Sequence, residues 1–456
     1  MTINRREFIL AAGAASLGFA GMQRLVMGGA TTSRTGFGPL VPDPDGWLDL
    51  PKGFSYKVIA KVGDRMADGL LVPGLADGMA AFEGPEGKTI LVVNHELSPR
   101  DRRRSPFGAN LEYRDRMAAT DIYDPGTSDN GPVAGGTSTI VYDTRTGSTE
   151  SHFMSLAGTA RNCAGGPTPW GSWLTCEETV DVAGENGCVR DHGCVFEVPA
   201  TATPSLAKPL PIRDMGRFNH EAVCVDPASG CVYLTEDRGD GLLYRYVPNT
   251  PGELHRGGRL EALVVRGQRS CDTRNWESAA FKVNEEYNVD WRPLDDVNPR
   301  KDNLRFRGFD AGAARFARGE GIIWADDAAY IVCTNGGKLR KGQVWKYVPS
   351  KVEGTPSDTG QPGRLSLFVE SHNPKALDMP DNIGVAPWGD LVLCEDGGGE
   401  QFVVGVTPSG ELYKLARNAK DGTEFAGGCF SPDGSTLFIN IQVHGLTVAI
   451  TGPWRA

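Results

Sequence analysis

The chain has 456 residues, with 59 glycines, 30 prolines and ten cysteines, and its formal net charge at pH 7 is -10. The negative charge argues against a nucleic-acid partner, and ten cysteines are too few for a disulfide-stabilised scaffold of this length. Because the glycine content is well above the usual value of roughly 7%, we expect many turns and short strands. An acidic chain also suits the binding of cations.

The N-terminal residues have the pattern of an export signal. Residues 4–9 read NRREFI, a twin-arginine pattern, and a mildly apolar run rich in Ala and Gly follows to about residue 20. Small residues at 28–30 offer a cleavage site, and the apolar run is too short and too weak for a permanent membrane anchor. We therefore predict a Tat signal peptide over residues 1–30, the Tat export machinery as a partner, and a periplasmic or secreted mature domain over residues 31–456.

Six segments of the mature chain repeat one design, in which a strand, a turn rich in Gly, Pro and Asp, and a second strand follow one another. Further strand-like runs lie between these segments, as at 138–142 and 242–246. The six segments are residues 77–96, 162–178, 220–237, 320–337, 381–399 and 424–442.

Each segment has the form of the inner half of a four-stranded blade. We therefore predict an all-β fold, a six-bladed β-propeller in a single domain. A double-sheet sandwich is the alternative, but it would not place an acid at the same position in successive repeats. Residues 100–121 and 272–307 are long and polar enough to form inserted loops over the mouth of the channel.

Acidic residues recur at the start of the first strand and at the end of the second strand of these segments. In a propeller they would gather near the central channel, where like charges repel and need cations to stay ionised. Oxygen ligands of this kind favour Ca²⁺, Mg²⁺ or Mn²⁺. The recurring acids are Asp77, Glu96, Glu177, Glu178, Glu221, Glu236, Asp237, Glu320, Asp381, Glu395, Asp396 and Glu424.

Two cysteines and two histidines lie among these acids. A thiolate from Cys163 or Cys176 beside carboxylates would suit a transition metal such as iron, although either cysteine could instead be a buried apolar residue. His95 and His220 each precede a glutamate, so we expect them to face away from the ligands. Other cysteines lie close enough in sequence for disulfides, and the two pairings left open are Cys188 with Cys194 and Cys224 with Cys231.

Several long motifs, in order from Val93 to Gln442, resemble those of the PhoX-type alkaline phosphatases. The motifs are VNHE (93–96), NCAGGPTPWGSWLTCEE (162–178), GRFNHEAV (216–223), VYLTEDR (232–238), FARGEGI (316–322), PDNI (380–383), PWGDLVLCEDGG (387–398) and EFAGGCFSPDGSTLFINIQ (424–442). The twin-arginine signal agrees with this resemblance.

The resemblance implies a six-bladed propeller that holds iron and calcium at one end of its channel. It implies a phosphomonoesterase that acts on small phosphate esters, with a metal-bound oxygen as nucleophile and Arg318 as a phosphate clamp. Separately, we expect the protein to be a monomer. Lys338 would be a further clamp, Asn162 a further catalytic residue, and Cys163 the iron-binding thiolate, with Cys176 as the alternative thiol. With the recurring acids, the predicted metal ligands are Cys163, Glu96, Glu177, Glu178, Glu221, Glu236, Glu320, Asp381, Glu395 and Glu424.

Two other functions stay open at this point. A calcium-dependent propeller hydrolase of another class, such as a lactonase, would need one channel cation and would have no use for Cys163. A non-catalytic propeller held rigid by calcium would bind a partner through its faces and would have no use for Arg318. The fold alone does not choose among these functions.

Overall fold

The computed structural model describes residues 35–44 and 46–455. The predicted signal peptide, residues 1–30, lies outside the described residues. The described part contains one α-helix, α1 (Leu304–Asp310), and several single 3₁₀ turns. None of its helices has the length and apolar character needed to cross a membrane.

The N-terminal part of the described chain contributes three strands that pair with sheets formed much later in the chain. These are β1 (Leu40–Val41), β2 (Leu48–Pro51) and β3 (Ser55–Lys61). A four-stranded antiparallel sheet follows, made of β4 (Ala76–Glu83), β5 (Thr89–His95), β6 (Gly135–Asp143) and β7 (Ser148–Thr159). The next sheet has three strands, β8 (Asn162–Pro167), β9 (Ser172–Glu177) and β10 (Val195–Pro199).

The middle of the chain forms one ten-stranded sheet that contains two antiparallel meanders. The first meander is β11 (His220–Val225), β12 (Val232–Glu236), β13 (Gly241–Pro248) and β14 (Gly258–Val265). Two connecting strands follow, β15 (Glu286–Pro293) and β16 (Arg315–Phe316). The second meander is β17 (Gly319–Ala325), β18 (Ala328–Cys333), β19 (Gln343–Val348) and β20 (Gly363–Glu370).

Strand β15 joins the two meanders, because it pairs with β14 on one side and with β20 on the other. The prediction that all of residues 272–307 form a loop over the channel mouth is therefore wrong for Glu286–Pro293. These residues extend the sheet through backbone hydrogen bonds, which a strand between two free sheet edges can make on both sides. The other predicted insertion, residues 100–121, is irregular and buries Phe107 against Met66 and Leu70.

The last two sheets are completed by the N-terminal strands. The first consists of β21 (Pro380–Val385), β22 (Leu391–Glu395), β23 (Phe402–Val406) and β24 (Leu412–Asn418), with β2 and β1 added beyond β24. The second consists of β25 (Phe425–Phe430), β26 (Thr436–Ile441) and β27 (Leu446–Thr451), with β3 as its fourth strand. Pairing of β3 with β27 therefore ties the start of the described chain to its end.

The sheets pack face to face around a common centre. Each first strand contacts the next one along the chain, in the order β4, β8, β11, β17, β21 and β25, and β25 contacts β4 again. Strand β26 shows why the strands are apolar on both faces: Leu437 and Ile439 pack on the sheet before it, while Phe438 packs on the sheet that contains β4. The predicted all-β, propeller-like arrangement is confirmed.

Candidate metal centre

The first strand of six successive hairpins carries the same interruption in its pairing. In each hairpin the register skips by one extra residue on the first strand, between Ala76 and Met79 in β4 and at the matching place in the other five. Such a β-bulge bends the strand and re-aims a side chain. The two unpaired residues of the bulges are Asp77-Gly78, Cys163-Ala164, Glu221-Ala222, Glu320-Gly321, Asp381-Asn382 and Gly427-Gly428.

Five of these bulges therefore begin with a carboxylate or a thiol, and their side chains meet. Four groups of three side chains each bring their ligand atoms within 4.8 Å of one another, and the groups share Cys163, Glu221 and Asp381. They form one continuous set, which we call the central cluster. Its nine members are Asp77, Glu96, Cys163, Glu178, Glu221, Glu320, Asp381, Asp396 and Glu424.

Burial and mutual repulsion raise the pKa values of the central cluster. Loss of hydration and the neighbouring carboxylates raise the pKa of Glu178 to about 8 and that of Glu424 to about 10. The same causes raise the pKa of Glu221 well above its ordinary value, with Glu320 as its strongest repulsive neighbour. Burial first, and then Asp77, raise the pKa of the Cys163 thiol. Without bound cations these groups cannot all be ionised.

Glu221 provides the clearest test of whether the cluster fits metal ions. It is fully buried, and neither oxygen of its carboxylate has a hydrogen-bond partner. Buried polar atoms in folded proteins are almost always paired, so an unpaired carboxylate at the meeting point of two ligand groups fits a cation. The donor set of carboxylates with one thiol suits hard cations together with a transition metal.

Two arginines lie at the edge of the central cluster. Arg318 donates from Nε and Nη2 to the two carboxylate oxygens of Asp237, at 2.8 Å each, and its Nη2 lies 2.8 Å from Oε1 of Glu320. Arg161 bridges Glu96 and Glu178 in the same way, with its Nη2 2.5 Å from Oε1 of Glu96. Both side chains remain partly exposed, so their guanidinium groups face the solvent side of the cluster.

Three predicted ligands lie outside the central cluster. Glu177, Glu236 and Glu395 each end a second strand, and each immediately precedes an acid that faces the centre, so alternation turns it to the other side. Glu177 accepts hydrogen bonds from the backbone N–H groups of Gly193 and Cys194.

The other two glutamates make the same kind of contact. Glu236 accepts from the N–H of Leu242, and Glu395 accepts from the N–H of Phe402. Each of the three carboxylates also has a cationic neighbour, which is His192, Arg305 and Lys414 respectively. These glutamates therefore anchor the beginning of the third strand of their sheets.

Other predicted site residues also point away from the cluster. Asn162 accepts a hydrogen bond from Thr159, at the end of β7, and donates one to Thr175 in β9, so its amide links the first sheet to the second. Cys176 lies in the apolar core between sheets. Lys338 is exposed in the loop that follows β18.

The histidines and the remaining cysteines have structural surroundings. His95 contacts the hydroxyl of Ser138, and His220 stacks on Phe218, so both face away from the ligand groups. All ten cysteines are free, so neither open pairing, Cys188 with Cys194 or Cys224 with Cys231, is formed.

The structure also brings together groups that the predicted ligand set leaves out. Asp77 and Asp396 were among the recurring acids and belong to the central cluster, and their equivalence to Glu221 and Glu178 in the repeat is the signal that could have added them to the ligand set. A second, buried group was not foreseen, in which His192 lies 2.6 Å from Oε1 of Glu177 and 3.1 Å from Oδ2 of Asp124. The two carboxylates outweigh burial and raise the pKa of His192 to about 12.

Comparisons with known proteins identify what this chain resembles. The family model described as alkaline phosphatase PhoX matches residues 35–445. Among solved structures, PhoX of Pseudomonas fluorescens in complex with vanadate, a transition state analogue, has 18% sequence identity and a TM-score of 0.67, over 91% of this chain and 98% of that chain. The search of curated proteins found no match.

Two further solved structures are similar at a lower level. A catalytically inactive virginiamycin B lyase from Staphylococcus aureus with quinupristin has 12% identity and a TM-score of 0.38, over 87% of this chain and 99% of that chain. A gluconolactonase from Xanthomonas campestris has 12% identity and a TM-score of 0.39, over 91% of this chain and 98% of that chain.

Proposed function

The chain belongs to the alkaline phosphatase PhoX family and is a metal-dependent phosphatase, and from this premise we propose that the central cluster is its catalytic metal centre. The observation that carries this proposal is the buried carboxylate of Glu221, whose two oxygens have no partner. It lies between one ligand group that contains Cys163 and another that contains only carboxylates. The proposed ligands are the nine members of the central cluster.

Iron and calcium are the ions that we assign to this centre. Cys163 belongs to both ligand groups on its side of the cluster, and a thiolate among carboxylates favours a transition metal such as iron. The group of Asp381, Asp396 and Glu424 offers only carboxylate oxygens, which are the preferred ligands of calcium. When bound, such ions neutralise phosphoryl oxygens and activate water for attack on phosphorus.

Arg318 is the residue that we assign to holding the phosphate group. Asp237 accepts from its Nε and Nη2, so the plane of the guanidinium is set before a substrate arrives. Nη1 remains to donate to a phosphoryl oxygen, and a planar, always charged group is well suited to this contact. Asn162, by contrast, supports Cys163 through Thr159 and Thr175 and need not contact the substrate.

We infer that the sheets form six blades. The closed series of contacts among six first strands supports this count, as does the matching bulge in each of them. In this interpretation the ten-stranded sheet is two blades that share β15 at their outer edges. The central cluster would then lie at one end of the channel, where the six bulges meet.

We also assign a cellular location to the enzyme. The twin-arginine pattern in residues 4–9 supports export by the Tat machinery and action in the periplasm or outside the cell. We propose a small phosphate ester as substrate and a monomer as the active form.

Metal analysis combined with an activity assay tests the function. The protein is purified without chelator, its iron and calcium are measured, and p-nitrophenyl phosphate hydrolysis is assayed at alkaline pH. We expect both metals, activity that EGTA abolishes, and loss of iron in Cys163→Ser. Cys176→Ser is the matched control and should keep its iron, because Cys176 lies in an apolar core. No hydrolysis by the metal-loaded protein would overturn the proposal.

A further inference from the structure

A cavity of about 340 Å³ lies beside the central cluster, on the side of Glu178. It is formed between the end of β9 and the end of β12, so a substrate held by the cluster could extend into it. Its inner wall carries the carboxylate of Glu178, a member of the central cluster, and the guanidinium of Arg161, which contacts Glu178. Its outer wall includes Asp181 and Arg238.

Seven of the eight residues that line this cavity have polar or charged side chains, and they present both hydrogen-bond donors and acceptors. Arg161 and Arg238 donate, Asp181 accepts, and Val180 is the one aliphatic side chain beyond the methyl group of a threonine. Asn219 donates from its amide nitrogen to Oε1 of Glu178 and to the carbonyl oxygen of Asp237, which leaves its amide oxygen as an acceptor.

The cavity carries a small excess of negative charge, because two arginines and three acidic residues line it. The two arginines face acidic neighbours, because Arg161 contacts Glu178 and Arg238 lies 3.4 Å from Asp302. Asp181 and Glu185 add negative charge at the outer end. The cavity therefore offers many hydrogen bonds, and its excess of negative charge does not favour a second anionic group on the ligand.

We propose that this cavity binds the alcohol part of the substrate and selects hydroxyl-rich esters, that is, phosphorylated sugars and polyols. The inference rests on the proposed phosphatase function and names its substrate class. A hydroxyl group both donates and accepts, so a polyol can pair with arginine, amide and carboxylate groups at once. An apolar alcohol of the same size would make none of these hydrogen bonds, and a site that pairs with a substrate hydroxyl discriminates against analogues that lack it.

Two esters of matched size and reactivity test the proposal on the metal-loaded enzyme. Glucose 6-phosphate and cyclohexylmethyl phosphate are both phosphate esters of a primary alcohol on a six-membered ring, and they differ chiefly in hydroxyl groups. We expect kcat/KM to be about tenfold or more higher for glucose 6-phosphate, the effect of one or more hydrogen bonds that only the sugar makes.

Variants of two residues in the outer wall of the cavity test whether these residues cause the preference for the sugar phosphate. Arg238→Met and Asp181→Leu should each lower the ratio of the two kcat/KM values by about threefold to tenfold, since each removes a partner of a hydroxyl group. Arg364→Met is the matched control, because Arg364 forms a similar exposed pair with Glu286 at 3.6 Å on an outer strand. It should leave the ratio unchanged.

The possible failures are distinct. Similar kcat/KM values for the two esters in the wild-type enzyme overturn the selectivity and leave the phosphatase function intact. So does a preference of tenfold or more for phosphoethanolamine or 3-phosphoglycerate over glucose 6-phosphate, because recognition would then be of charge. If p-nitrophenyl phosphate and both test esters are all inert, the proposed function itself fails.

Discussion

Arg161 and Arg318 occupy the same position in two of the repeated hairpins, each two residues before the residue that begins a bulge. Their φ angles are +48° and +50°, a left-handed conformation that residues other than glycine seldom adopt. In both, the turn places a guanidinium across two carboxylates at the edge of the central cluster. Strained backbone of this kind is concentrated at functional sites, and here it positions two guanidinium groups beside the central cluster.

The substitution Arg318→Lys should show whether activity needs the guanidinium geometry of Arg318 as well as its positive charge. Arg318→Lys keeps the positive charge but loses the fork that Asp237 orients, so we expect kcat/KM for p-nitrophenyl phosphate to fall by about 10²-fold. Iron and calcium contents should not change, because no proposed ligand is removed. Arg364→Lys, on an outer strand, serves as the control. Activity of Arg318→Lys within a few-fold of wild type would remove Arg318 from the phosphate site.

Substitution by glutamine should affect different properties at the neighbouring residues Glu177 and Glu178, namely stability at the first and metal content at the second. Glu177→Gln weakens the pairing with His192 and with two backbone N–H groups, so it should cost about 3–5 kcal/mol in the free energy of unfolding. Glu178→Gln should instead lower the metal content. Urea unfolding and metal analysis of both variants measure the two effects. Loss of metal from folded Glu177→Gln, with Glu178→Gln unaffected, would contradict this division of roles.

A variant of Glu221 should change stability with a sign that depends on the metals. In the chelated protein, Glu221→Met removes a buried carboxylate without partners and should raise the free energy of unfolding by about 1–3 kcal/mol. In the metal-loaded protein the same change removes a proposed ligand and should lower stability. Thermal unfolding with and without chelator tests this reversal. A destabilising effect of equal size in both states would show that Glu221 has no special relation to a cation.

The metal-free protein should lose stability as the pH rises. Burial and neighbouring acids raise the folded-state pKa of Glu178 to about 8 and that of Glu424 to about 10. The folded chain therefore retains protons that the unfolded chain releases near pH 4.5, so stability is fully present below that pH and declines through pH 8 to 10. Melting temperatures of chelated protein between pH 5 and pH 10 should fall accordingly. Bound cations should flatten the decline, and a melting temperature that rises over this range would refute it.

The choice between adjacent acids could not be made from the sequence. Glu177 and Glu178 are both glutamates, and both stand at the end of a predicted strand. Which of them faces the centre depends on the register of β9 against β8, and the bulge at Cys163 shifts that register by one residue. A one-residue shift turns every side chain to the other face. The same uncertainty applied to Glu236 beside Asp237.

The repeats were visible in the sequence because strand alternation and turn residues are properties of neighbouring positions, and the recurrence of one design predicted the all-β, propeller-like fold. The residue types of the central cluster were visible for the same reason, since an acid or a thiol recurs at one place in five of the six repeats. Only the tertiary structure decided which of them meet. Asp77 and Glu424 come from opposite ends of the described chain, and they join one cluster because β4 packs against β25, which Glu424 precedes, while β3 pairs with β27. The pair of Asp124 and His192 likewise depends on two irregular loops, and no periodic pattern in either loop encodes contacts between distant segments.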